Sequence, residues 1–190
     1  MTDNKAIAWL CAIIFPTVML LLFANALIFD EPTYREILSA EAMPVTTQLL
    51  AYYQDDAGLP DVFNEAEKAH LDDVKSVIKL EQAIMIILLA VFLVLLPRTN
   101  LRFVFTRGFL LLFILVLLLP LIPFDTIFTR FHEMFFEPGT WMFSAESTLI
   151  RFYPEMLFQE IFTKILVMSV VFSAVLALFA KTSLFQNNNL

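Results

Sequence analysis

Glycine is scarce in this chain, with only three among 190 residues. The G-x-x-x-x-G-K-[ST] phosphate loop and the G-x-S-x-G nucleophile elbow are both missing, which excludes the commonest nucleotide-hydrolysing and serine-hydrolase sites. Cysteine occurs once, as Cys11 inside an apolar stretch. No disulfide can form within the chain, no Cys/His metal set can be assembled, and the thiol reads as a small packing residue. Histidine occurs only at His70 and His132. His132-Glu133 opens like the zinc-protease H-E-x-x-H signature, but position 136 is Phe where that signature needs His. Nothing in the spacing of the two histidines and their neighbouring carboxylates calls for a metal. Charge is sparse too: 16% of residues carry it, and a mean hydropathy of +0.78 does not fit a soluble globule. The net charge of −7 argues against nucleic acid as a partner. No internal repeat is visible, which makes a secondary transporter a poor fit.

What the chain has in abundance is apolar sequence in blocks. About 20 mostly apolar residues suffice to cross a bilayer as a helix. Four stretches meet or approach that length, at about 6–29, 80–97, 108–126 and 160–180. The expected fold is an all-α membrane protein, a single integral domain over 1–190 with four transmembrane helices. Outer segments 30–79 and 127–156 add helical or re-entrant pieces and form an outward-facing cavity. Ala24-Asn25-Ala26 resembles a signal-peptide cleavage site, but the apolar core before it exceeds the ~7–15 residues usual for such a peptide. The first stretch is therefore expected to stay as an anchor.

Basic residues orient the spans. Lys5, Arg98, Arg102, Arg107 and Lys181 crowd the short segments 1–6, 97–107 and 181–190. Arg35, Lys68, Lys75, Lys79, Arg130 and Arg151 are spread thinly over the much longer 30–79 and 127–156. By the positive-inside rule both termini are cytoplasmic and both long segments lie outside. Asn25, Glu81, Asp125, Glu160 and Lys164 then all fall toward the outer ends of the spans. Ionisable residues at such depth either face a wet cavity or snorkel to the headgroups. Glu160 and Lys164 are four apart and can pair on one helix face. Pro120 and Pro123 should break the third span in its outer half, and a break is tolerated where protein or water satisfies the freed backbone.

Segment 30–79 begins loop-like, with Pro32, Pro44, Gly58 and Pro60, and patches such as 46–53 are expected on the membrane surface. From Asn64 the pattern is helical and continues into the second span. His70, Val74, Val77, Glu81 and Met85 share a face of that helix, and Glu67 and Asp73 each lie three residues from His70. Either carboxylate could accept an imidazole proton; a solvated histidine on an acidic helix fits the periodicity as well. Segment 127–156 carries Phe128, Phe131, Phe135, Phe136, Trp141, Phe143, Phe152 and Tyr153. That is too aromatic for an aqueous loop and fits a headgroup-level belt. A short helix bearing His132, then a turn at Glu137-Pro138-Gly139, is expected. Partial desolvation of His132 favours its neutral, basic form, unless the ring is merely packed among its neighbours.

Two blocks resemble a known family. Glu67-Lys68-Ala69-His70-Leu71-Asp72-Asp73-Val74, just before a span, is similar to the E-x-x-H-M-x-D-V block of the bacterial lipoprotein intramolecular transacylase (Lit) family, with Leu71 in place of Met. Phe131-His132-Glu133-Met134-Phe135-Phe136, then Trp141-Met142-Phe143, Leu149-Ile150 and Pro154-Glu155, resemble its second block. The resemblance implies a multi-pass enzyme of the bacterial plasma membrane with its active site facing outward. It further implies movement of an sn-2 acyl chain from diacylglyceryl-cysteine to the cysteine α-amino group, giving a lyso-form lipoprotein. The implied partners are diacylglyceryl-modified lipoproteins and membrane lipid, with no cofactor. The family's two essential histidines fall on His70 and His132.

On that basis His70, oriented by Glu67 or Asp73, is expected to act as acid/base, and His132 to position substrate or stabilise the oxyanion; the roles are exchangeable. Glu81 and Lys164 are supporting candidates. Trp141 and Phe135 are expected to line an acyl slot, and Arg151 to hold a polar group near the ester. Two other readings stay open at this point: a non-catalytic accessory or lipid-binding membrane protein, and another outer-leaflet lipid acyltransferase or hydrolase. Oligomeric state is not readable from the chain.

Overall fold

The computed structural model describes residues 4–187, with side chains through Thr182. Among the described residues every regular element is helical. The α-helices are α1 (Lys5–Ile28), α2 (Glu31–Ile37), α3 (Ala42–Tyr53), α4 (Glu65–Leu95), α5 (Leu101–Leu118), α6 (Phe124–Phe135), α7 (Thr148–Phe152) and α8 (Glu155–Asn187). Single 3₁₀ turns at Leu96–Arg98 and Leu119–Leu121 end α4 and α5. Four apolar helical stretches are long enough to cross a membrane: Lys5–Ile28, Glu65–Arg98, Leu101–Leu121 and Glu155–Thr182.

The third of these is displaced from the expected 108–126. Asn100 starts it, its side-chain oxygen accepting from the Phe103 amide at 3.0 Å, so Arg102 and Arg107 are carried inside the helix. Pro120 lies in the closing 3₁₀ turn, and Pro123 caps a new helix rather than kinking the old one. The first half of 30–79 also differs from expectation. It folds into α2 and α3 instead of loop, because Asp30 caps Thr33 through its carboxylate and Pro32 occupies the first turn, where its missing donor costs nothing.

The chain divides into two compact units. The first comprises Met1–Ala24, Gln82–Leu121 and Lys164–Leu190. Its core is built on α1, with Ala8, Cys11, Phe15, Val18 and Met19 buried against Phe92, Val104 and Leu112. Gly108 of α5 makes this possible: a Cβ there would stand 2.5 Å from the Phe15 ring. Outside that core, Ile86, Leu93, Val94, Leu117 and Phe179 are more than half exposed, as befits helices whose solvent is lipid.

The second unit comprises Asn25–Glu81 and Ile122–Thr163. Ala42 and Leu49 of α3 pack with Phe63, with Leu71 of α4, and with Leu149, Phe152, Tyr153 and Leu157. The buried face of α3 (Ala42, Met43, Thr46, Leu49, Leu50) therefore meets protein, where the sequence suggested a surface-lying patch. Asp55, with a left-handed φ of 66°, ties the turn after α3 to α4 through Lys75 at 2.7 Å and Lys79 at 2.9 Å. The Lys75 ammonium also lies 3.8 Å over the Tyr52 ring, and the Tyr52 hydroxyl donates to Asp72.

Candidate active site

Both histidines belong to the second unit, one on each of two helices with clear local causes. α4 begins with a reciprocal capping box. The Glu67 amide donates to the Asn64 side-chain oxygen at 3.0 Å, and the Asn64 amide donates to Glu67 Oε2 at 2.9 Å. His70 follows one turn later. α6 starts at the Pro123 cap with Asp125 in its first turn, where a carboxylate suits the positive end of the helix. It stops at Phe136, whose extended conformation leads into a turn over Glu137–Thr140. Pro138 and Gly139 hold the central positions of that turn, and Gly139 has the φ of +87° that a type II turn requires. His132 sits in the last turn of α6, directly before this change of direction.

The two imidazole rings lie 6.1 Å apart, centre to centre, with planes 24° from parallel. Phe136 is buried and wedged against both, 4.8 Å from His70 and 5.3 Å from His132. Phe143 stands 5.6 Å from His70. Phe128 and Trp141 stand 4.1 and 4.8 Å from His132. The two imidazoles thus lie in a largely aromatic surround, with His70 and Phe136 buried and His132, Trp141 and Phe143 partly exposed.

The hydrogen bonds of the two rings differ. His132 Nδ1 lies 2.7 Å from the Phe128 carbonyl oxygen. A carbonyl oxygen can only accept, so Nδ1 carries the proton, and in the neutral ring Nε2 carries the lone pair. Burial holds the His132 imidazole below the ordinary histidine value of 6.5, partly offset by this bond to Phe128. His70 is buried, and its Nδ1 has no hydrogen-bond partner among the described residues.

The expected orienting carboxylates are placed elsewhere. Glu67 is fully buried, but Oε2 accepts from the Asn64 amide and Oε1 from the Leu149 amide at 2.9 Å, so it serves backbone and not the imidazole. Asp73 is exposed, and no hydrogen bond joins it to His70. Glu81 is half-buried and accepts from the Asn25 side-chain amide at 3.3 Å, three turns along α4 from His70. Lys164 falls in the first unit, on α8. Trp141 reaches the site, whereas Phe135 stacks on Phe131 at 4.8 Å and is 40% exposed, so its neighbour Phe136 supplies the wall instead. Arg151 is exposed on α7. A groove of about 470 Å³ is lined by Arg35, Leu38, Ala40, Met43, Pro44 and Thr47 and includes neither histidine. Among the described residues no three His, Cys, Asp or Glu side chains converge in a way that could hold a metal ion.

Residues that the sequence reading missed fall into two kinds. The Phe128 carbonyl and the Leu149 amide are backbone groups without any residue-type signal. The capping role of Glu67 did have one, since Asn64-x-x-Glu67 is a helix-start pattern.

The family model for lipoprotein intramolecular transacylase Lit matches residues 5–158, most of the chain and both histidines. The chain belongs to the Lit family. Among solved structures, the membrane-integral lipoprotein intramolecular transacylase Lit from Bacillus cereus superposes at a TM-score of 0.82 and 19% identity, covering 98% of each chain. Two further structures of the Bacillus cereus Lit, with a histidine replaced by arginine or by alanine, superpose at a TM-score of 0.76 and 19% identity. They cover 97% and 98% of this chain and 93% and 96% of theirs. At that identity the likeness establishes a shared Lit fold. No curated protein matches the chain.

Proposed function

We propose that this Lit-family protein moves the sn-2 acyl chain of a diacylglyceryl-modified cysteine onto the α-amino group of the same cysteine, and that His132 is its general base. The observation that carries the assignment is the 2.7 Å contact of His132 Nδ1 with the Phe128 carbonyl, which leaves Nε2 as the acceptor. The substrate amine has an ordinary pKa near 8 and is largely protonated at neutral pH. Nε2 takes that proton. The freed nitrogen attacks the ester carbonyl carbon, and a C–N bond forms. His70, 6.1 Å away, donates a hydrogen bond to the carbonyl oxygen as charge develops there. The nitrogen sheds its second proton to water, and the tetrahedral centre collapses with cleavage of the bond to the sn-2 oxygen, which recovers the first proton from Nε2 and leaves as a hydroxyl. An ester is exchanged for an amide, and no atom is consumed.

The reaction needs little else from the protein. Amine and ester are tethered in one substrate, and good orientation of tethered partners corresponds to an effective molarity of order 10⁵ M or more. Phe128, Phe136, Trp141 and Phe143 supply that orientation by enclosing the glyceryl and acyl carbons. This reading places the protein in the bacterial plasma membrane with both termini cytoplasmic and the histidines at the outer face, in line with the positive-inside asymmetry.

Expression in a host that lacks the activity, followed by mass spectrometry of lipoprotein N-termini, tests the function. An acylated α-amino group on a cysteine bearing a single glyceryl-linked chain is expected. An unchanged diacylglyceryl form with a free amine, despite good expression, would sink it.

A further inference from the structure

The buried carboxylate of Glu67 touches neither imidazole, yet it joins two parts of the polypeptide that both build the site. Its partners are 82 residues apart in the case of Leu149 and three in the case of Asn64. Oε2 closes the capping box at the start of α4, one turn before His70. Oε1 accepts from the amide of Leu149, at the start of α7. The chain between α6 and α7 carries Phe136, Trp141 and Phe143, three of the rings that bracket the histidines. It makes no regular element of its own beyond the turns over Glu137–Thr140 and Ser144–Ser147. One end of that connection is fixed by the end of α6 and the other by Glu67.

We infer that Glu67 is a positioning residue, a two-pronged clamp that holds the aromatic connection 136–149 in register with the His70 turn of α4. A carboxylate is the group suited to this, because both of its oxygens accept. The amide of glutamine has one acceptor and one donor. Glu67→Gln keeps the shape but turns a donor toward one of two backbone N–H groups, leaving that group buried and unmatched. Local helix capping alone requires only the Asn64 side; the Leu149 side serves the site.

The probe is Trp141, one of two tryptophans in the chain. In a Trp9→Phe background it is the sole emitter, and its ring lies 4.8 Å from His132. Imidazolium quenches indole more than imidazole does, so Trp141 emission titrates with His132. His132→Gln in the same background identifies that titration against contributions from His70, Glu133, Glu137 and Glu146. The clamp predicts that Glu67→Gln flattens the titration. It also predicts a fall in kcat on a synthetic diacylglyceryl-cysteine peptide of about 10²-fold, the scale of a misplacement near 1 Å, with KM little changed. Asn64→Ala removes the reciprocal cap but leaves both carboxylate bonds, and keeps the titration and turnover near wild type.

A Glu67→Gln enzyme with unaltered Trp141 titration and turnover overturns the clamp. So does equal loss of activity and thermal stability in Glu67→Gln and Asn64→Ala, which reduces Glu67 to a helix cap. Hydrogen exchange on the unaltered protein needs no variant: the Leu149 amide should be as protected as the interior of α4, and exchange at the rate of an open loop also overturns it. The clamp rests on the transacylase reading only for its kinetic arm. If the wild-type protein fails to convert the peptide while Glu67→Gln still flattens the Trp141 titration, the function fails and the clamp stands.

Discussion

A neutral imidazole has one donor and one acceptor, and the two histidines of this site are distinguished by how those are committed. His132 spends its donor on the Phe128 carbonyl, which leaves Nε2 as the acceptor. Its lowered pKa extends the neutral form to lower pH than usual. The sign follows directly: protonation of Nε2 abolishes the base, so kcat/KM falls on the acid side, and the midpoint of that fall lies below the ordinary 6.5. His132→Gln should lower kcat by about 10²- to 10⁴-fold, the usual contribution of general acid–base catalysis, and erase the acid limb. His70→Gln should lower the rate but retain the limb. A limb that survives in His132→Gln and vanishes in His70→Gln would reverse the roles. At this scale the sequence was informative about identity and poor about partnership. Both histidines stood out because the chain has no others. Glu67 and Asp73 had the right spacing to orient His70, but spacing along a helix does not show that Glu67 turns toward two backbone amides.

Among the elements, α6 combines two faces. Phe124, Phe128 and His132 share one flank. Phe131, Met134 and Phe135 lie 44%, 76% and 40% exposed on the adjoining flank, while Arg130 pairs with Glu133 at 2.8 Å on the polar side. A 12-residue helix so divided is built for a water–lipid boundary. A nitroxide attached at Met134→Cys in a Cys11→Ala background should be relaxed by oxygen more than by an aqueous nickel chelate. The reverse preference would place this flank in water. In the first unit the close approach of α1 and α5 depends on Gly108. Gly108→Ala should cost about 1–3 kcal/mol through overpacking against Phe15, read as a lowered midpoint of thermal unfolding in detergent. Elements with strong periodicity or long apolar runs were legible from sequence, α4 and α6 among them. α2 and α3 were not, because Pro32 and Pro44 read as loop signals while both in fact occupy first turns of helices.

At the scale of the whole molecule, the four apolar stretches were legible because lipid imposes length and composition on anything that spans it. The third span shows the limit: composition marked where apolar sequence was densest, while Asn100 starts the helix and the Leu119–Leu121 turn around Pro120 closes it. A transfer within one substrate molecule also has a kinetic signature that belongs to the whole reaction. If two diacylglyceryl peptides are mixed, one with isotopically labelled acyl chains and the other with a heavier peptide, each product should keep its own pairing. Mixed products in statistical yield would mean that acyl groups leave one molecule and reach another, which the tethered mechanism forbids.

The bond from His132 to Phe128 has one further consequence, an evolutionary one. Its acceptor is a main-chain carbonyl, four residues back on the same helix. Every amino acid at position 128 supplies that oxygen. Triads that borrow a carboxylate to orient an imidazole can be disarmed by one codon change at the carboxylate. Here every helix-compatible residue at the acceptor keeps it, so drift at position 128 can change the ring packed against His132 while the orientation of the imidazole is inherited with the helix.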